Sequence, residues 1–193
     1  MIGKEQMEKI KEFAVELDWN LAFDGKSKGN RHLFRIVKIA KELATKYNVN
    51  ISIVEAGAWL HDTNLEKTVT GSTLENKGKL LEFFESIELS KEDQQKILHC
   101  IEAHDGRFPA ETMEAKIVHD ADTLEKMGPL GVIRETWKRA QIGWNTERII
   151  KHLKIHLKKR ESKLYTTEAK EQAKRLNEKL KSFFETVDQQ LQE

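Results

Sequence analysis

The feature that most constrains this chain is the segment Ile53-Val54-Glu55-Ala56-Gly57-Ala58-Trp59-Leu60-His61-Asp62, an apolar stretch that closes on a histidine and an aspartate. On a helix Val54, Ala58, His61, Asp62 and Leu65 fall at i, i+4, i+7, i+8 and i+11, so both polar side chains continue the buried stripe and are expected to point inward. A buried carboxylate needs an ion partner, a hydrogen bond or a metal, and a neutral imidazole beside it sets a nitrogen donor next to an oxygen donor. Taken alone, the dipeptide reads more readily as a core histidine followed by an aspartate that ends a helix. The chain repeats it at His104-Asp105 and His119-Asp120. The first copy stands out through its companions elsewhere.

Helix is expected along the whole chain, since only Pro109 and Pro129 interrupt 193 residues with long stretches of Glu, Lys, Leu and Ala. The expectation is an all-α fold in a single domain over 1–193, with a core at about 28–135 and C-terminal helices at about 145–191 packed on it. Charged residues make up 34% of the chain but sum to a net charge of only +1, which argues against a duplex DNA or RNA footprint and against attraction to a membrane surface. No apolar run approaches the length of a membrane span, the single Cys100 cannot form an internal disulfide, and Met1-Ile2-Gly3-Lys4-Glu5 lacks the apolar core of a signal peptide. A cytoplasmic setting is expected.

Met7, Ile10, Phe13, Ala14 and Leu17 have helical spacing, and Asp24-Gly25-Lys26-Ser27-Lys28-Gly29-Asn30 breaks it. Leu33, Ile36, Val37, Ala40, Leu43, Ala44 and Tyr47 then share one face of a second helix. His32 stands at the start of that face with Arg35 beside it, although from the helix alone a solvent-facing first-turn histidine is equally open. Residues 63 to 79 are polar, β-branched and interrupted by Gly71, so a loop is expected directly after the His-Asp pair, where the mouth of a site would lie. Leu80 to Ile87 reads as a helix, and Ser90 reads as the N-cap of the next, with Asp93 in its first turn. In that helix Ile97, Ile101 and His104 share a face; His99 lies off it and reads as an ordinary surface or partly buried histidine. The turn Asp105-Gly106-Arg107-Phe108-Pro109 follows. A further helix carries Asp120 and Asp122 inside an otherwise apolar stretch, before Gly128-Pro129. Leu176, Leu180, Phe183, Phe184, Val187 and Leu191 form a stripe on the last helix, which suits docking onto the domain or a homodimer interface. Trp59 and Trp144 are read as core residues before pocket residues.

A histidine heading one helix, a His-Asp pair closing the next and a late aspartate supply imidazole and carboxylate donors that suit a divalent cation with positions left for water. In this pattern the chain resembles the HD superfamily of metal-dependent phosphohydrolases, whose signature is H…HD…D on an all-helical domain. The matching residues are His32 in His32-Leu33-Phe34-Arg35-Ile36-Val37, then His61-Asp62, then Asp122. The block from Glu114 to Leu124, followed by Gly128, Gly131 and Arg134, and the C-terminal Leu164-Tyr165-Thr166-Thr167-Glu168-Ala169-Lys170 with Phe183-Phe184, resemble a branch of small bacterial and archaeal HD hydrolases.

The resemblance implies that His32, His61, Asp62 and Asp122 bind the metal, an ion such as Mn, Fe, Co, Ni, Zn or Mg. Helical periodicity places Asp120 nearer the apolar face, but the aspartate after Ala121 matches the superfamily pattern, which leaves Asp120 to orient a ligand. Members with two metals carry a further histidine after the His-Asp pair. None occurs here between residues 63 and 98, so a single ion is expected. His104 aligns with a histidine that serves a second metal or the substrate in some relatives, and here would meet a phosphate or leaving group. Asp62, His104 and Glu66 are the expected catalytic residues, Glu66 as a general base or water-orienting group, though a loop carboxylate is more often merely solvated. Phosphoryl transfer rewards nearby cations, and Arg35, Lys126 and Arg134 are candidates for substrate contact, with Lys116 also available. The expected substrate is a small phosphorylated metabolite such as a nucleotide. The alternatives are a non-catalytic, metal-stabilised binding module and a di-iron oxygenase of the same superfamily.

Overall fold

The computed structural model describes residues 2–22, 25–63, 66–68, 71–73 and 77–192. The described residues form helices α1 (Lys4–Leu21), α2 (His32–Ala44), α3 (Ile51–Leu60), α4 (Lys77–Ser86), α5 (Lys91–Ala103), α6 (Met113–Glu125), α7 (Gly128–Gln141), α8 (Thr146–Glu161) and α9 (Thr167–Gln190). The fold is all-α, apart from a short antiparallel ribbon of β1 (Glu66–Thr68) and β2 (Gly71–Thr73) in the stretch expected to be loop. The chain divides into two compact units, Met1–Asp122 and Thr123–Glu193.

In the first unit α3 is the central element, with α1, α2 and α5 packed against it. Its start is closed by Asn50, whose side chain accepts hydrogen bonds from the Ser52 and Ile53 amides at 3.1 and 3.4 Å. Ile53, Val54, Ala56, Gly57, Ala58, Trp59 and Leu60 are all buried, so from Ile53 onward only Glu55 reaches solvent and burial extends well beyond the stripe its periodicity suggests. Gly57 makes that enclosure possible: a β-carbon there would lie 2.7 Å from Cys100 Cβ of α5 and 3.3 Å from Val118 Cγ2 of α6. Cys100 itself is fully buried, and burial pushes its thiol well above the usual range, so it serves as packing and not as a nucleophile.

Ser90 caps α5 as the sequence suggests, its side chain accepting from the Asp93 amide at 3.1 Å. His99, read as an ordinary histidine, has a structural role. Its Nε2 accepts from the Glu111 and Thr112 amides at 3.1 and 3.4 Å and so ties down the approach to α6.

The second unit is built by α7, α8 and α9 around Ile149, Leu153 and Leu180, with Val132, Trp144 and Phe184 packed against them. Gly128 opens α7 at φ +66°, where a β-carbon would strike Leu176 Cδ2 at 2.7 Å; Pro129 follows within the first turn. The stripe on α9 is buried at Leu180, while Phe183 and Leu191 stay exposed. No helix among the described residues is long and apolar enough to cross a membrane.

Candidate metal centre

His61 and His104 reach the site by the same local device. Each is the residue after the last turn of its helix, α3 or α5, and each stays in helical conformation while its ring folds back on the carbonyl three residues earlier. His61 Nδ1 donates to Ala58 O at 2.8 Å, and His104 Nδ1 donates to Ile101 O at 2.6 Å. A carbonyl can only accept, so Nδ1 carries the proton and the neutral ring presents its lone pair at Nε2.

Those Nε2 atoms converge on carboxylates. His61 Nε2 lies 3.1 Å from Asp62 Oδ2 and 3.6 Å from Asp122 Oδ1, while His104 Nε2 lies 3.6 Å from Asp62 Oδ1. His32, the first residue of α2, is buried, and its Nε2 lies 3.2 Å from the same Asp62 Oδ2. Its amide is fixed by Asn30 Oδ1 at 3.1 Å, which accounts for the break before α2 delivering the ring inward. The His61 ring stands edge-on to both of the others, at 5.2 Å from His32 and 5.1 Å from His104.

One ligand atom each from His32, His61 and Asp122 can be chosen so that all lie within 4.8 Å of one another, a spacing that can hold a metal ion; Asp62 joins this group through its contacts to both imidazoles. Imidazole lone pairs aimed at carboxylate oxygens repel unless a cation, a proton or a metal, sits among them, so the donor set suits a divalent ion.

The other candidates are placed as follows. Asp120 and Asp122 are both buried on α6, and it is Asp122 whose oxygen lies within the group. Arg35 is half-buried, lies near Asn30 Oδ1 at 3.4 Å, and has its pKa lowered by burial. Glu66 belongs to β1, but its side chain lies outside the described residues. Lys126 and Arg134 fall in the second unit, where Arg134 forms an ion pair with the buried Glu125, and the Lys126 carbonyl accepts from Arg160. Trp59 is buried and meets Phe34 edge-on at 5.1 Å, as a core residue would. Among the described residues, sequence reasoning missed the doubled Nδ1 anchoring, although two helices ending in histidine were visible.

An all-helical unit that gathers histidine and aspartate side chains from separate helices into one buried donor group defines a metal-centre type of domain. The chain belongs to the HD-domain family, whose HD domain matches residues 30–127. It is 29% identical over 110 residues to Ribonuclease Y of Syntrophomonas wolfei, a match that covers 55% of this chain and 19% of that much longer protein. Among solved structures, an HD-superfamily hydrolase from Bacillus thuringiensis superposes with a TM-score of 0.76 at 24% identity, covering 98% of each chain. Bacillus subtilis YpgQ in complex with ADP superposes with a TM-score of 0.74 at 20% identity, covering 96% of this chain and 97% of the other. These likenesses show a shared fold over nearly the full length.

Proposed function

We propose that the protein is a metal-dependent phosphohydrolase that cleaves a phosphoester or phosphoanhydride of a small metabolite, a nucleotide foremost, in the cytoplasm. The observation that carries this reading is the meeting of His61 Nε2 with Asp62 and Asp122 while Nδ1 is held by Ala58 O. His32, His61, Asp62 and Asp122 would hold one divalent ion. Such an ion, when bound, lowers the pKa of coordinated water and polarises a phosphoryl oxygen.

The chain's own residues supply the rest. The carbonyls of Ala58 and Ile101 keep two imidazoles in one tautomer and one orientation, so no reorganisation is needed when a substrate arrives. His104, buried beside Asp62, would meet a phosphate or leaving-group oxygen. Two names among the relatives, a ribonuclease and a protein solved with ADP, support a ligand built on nucleotide phosphate.

The test is phosphate release from nucleotides and phosphomonoesters by protein loaded in turn with Mn, Co, Ni, Mg and Zn, beside Asp62→Ala. Turnover that requires both the metal and Asp62 is the expected result. Tight metal without turnover on any substrate would overturn the hydrolase reading and leave a metal-stabilised binding module.

A further inference from the structure

The turn that leaves α5 continues directly from the cluster described above, and it is anchored at both ends. It starts at His104, and the Gly106 amide bonds Ala103 O at 3.2 Å. Gly106, at φ +80°, faces α6 at ordinary contact distance: a β-carbon there would be 3.5 Å from His119 Cε1, one helical turn before Asp122. At the far end Ala110 is buried and His99 holds the Glu111 amide. Between these anchors Arg107 and Phe108 stand out to solvent, Phe108 with 48% of its surface exposed.

Arg107 is set in place and only half used. Asp105 Oδ1 accepts from its amide at 3.0 Å and Asp105 Oδ2 from its Nε at 2.5 Å, which fixes the plane of the guanidinium. The two terminal nitrogens have no protein partner among the described residues. A planar pair of N–H groups held by one edge is the shape that grips two oxygens of a phosphate. Phe108 precedes Pro109, which restricts its backbone to extended conformations and lowers the cost of holding an aromatic ring in water. An exposed ring beside a phosphate-seeking arginine offers a base a stacking surface.

We infer that this turn is the recognition lip of the site: Arg107 takes a phosphate that is not the one cleaved, Phe108 takes the base, and the substrate is a nucleoside di- or triphosphate. The inference rests on the hydrolase reading above and narrows its substrate class. Arg107 and Phe108 are specificity-determining residues, and Asp105 is a positioning residue that acts through Arg107.

The experiment is steady-state kinetics of Arg107→Ala, Arg107→Lys, Phe108→Ala and Asp105→Asn on a nucleoside diphosphate, inorganic pyrophosphate and p-nitrophenyl phosphate. Arg107→Ala is expected to raise KM for the nucleoside diphosphate and for pyrophosphate about tenfold or more with kcat little changed, and to leave p-nitrophenyl phosphate alone. Arg107→Lys restores part of the loss, because it keeps the charge but not the fork. Phe108→Ala raises KM for the nucleotide only, and Asp105→Asn reproduces a milder Arg107→Ala. Unchanged KM for the nucleoside diphosphate in Arg107→Ala and Phe108→Ala, with metal-dependent turnover intact, would overturn the lip and leave the hydrolase standing. If the wild type hydrolyses nothing, equilibrium binding of the nucleoside diphosphate decides: a tenfold weakening in Arg107→Ala supports the lip, and equal or absent binding overturns it.

Discussion

Around Glu135, in the second unit, two guanidinium groups and an imidazole surround one carboxylate; around His61, in the first, carboxylates surround imidazoles. Glu135 Oε1 accepts from Arg139 Nε at 2.8 Å and from His152 Nε2 at 2.9 Å, and Oε2 faces Arg160 Nη2 at 3.3 Å. Burial by itself would raise its pKa, but Arg139, the His152 hydrogen bond and Arg160 outweigh burial and hold it at about 2. Its charge is neutralised by the protein's own cations, so this cluster needs nothing from outside. The first cluster instead directs nitrogen lone pairs and oxygens toward a common point, the arrangement that a divalent ion completes. Similar residue types thus make a structural clamp in one place and a donor set in the other. The difference is that arginines join the histidine around Glu135, whereas it is histidines that face the acids in the first cluster.

The sharpest way to break this contrast is to delete one member of each cluster. His61→Ala or Asp122→Ala should lower phosphate release by about 10³-fold and remove bound metal in elemental analysis. Glu135→Ala should keep its metal. A His61→Ala protein with full metal content would erase the distinction.

Glu135→Ala should act on stability, costing about 3 kcal/mol in urea denaturation, because Arg139, Arg160 and His152 are left facing one another. The same carboxylate sets a pH signature. Its folded pKa lies below the ordinary 4.5, so its contribution is complete above about pH 4.5 and fades as the pH falls towards about 2. After discounting for solvent screening, the wild type should lose on the order of 2 kcal/mol more than Glu135→Gln over that window, measured by chemical denaturation at each pH.

In the first unit Gly57→Ala forces α3 away from Cys100 and should cost about 2 kcal/mol by the same assay. Because α3 carries His61 at its end, metal affinity measured by competition with a chelator should fall with it. The smallest effect belongs to Arg148, whose guanidinium lies 3.9 Å from the centre of the Trp144 ring. Arg148→Ala should cost about 0.5 kcal/mol in thermal unfolding and leave turnover unchanged.

Much of this was legible along the chain. Apolar spacing and scarce prolines announced helices, and Ser90 stands as the cap its position suggested, while the Asn50 cap emerged only from the structure. Periodicity was a poorer guide inside the site: it favoured Asp120 over Asp122, but α6 is buried around nearly its whole circumference near its end, so no single face exists for a period to mark. The short ribbon went unread because three-residue strands leave no alternation to detect.

By itself the sequence determined the all-α class, most of the helix positions, and the set of histidines and aspartates from which a metal centre can be drawn, because those depend on residue type and local spacing. Only the tertiary structure decided that His32, His61, His104 and Asp122, which are scattered over four helices, meet within a few ångströms. It also decided which nitrogen each anchored ring presents, and that Glu135 gathers cations from both α7 and α8. Such meetings are set by how apolar faces pack between helices far apart in the chain, and no local pattern carries that information.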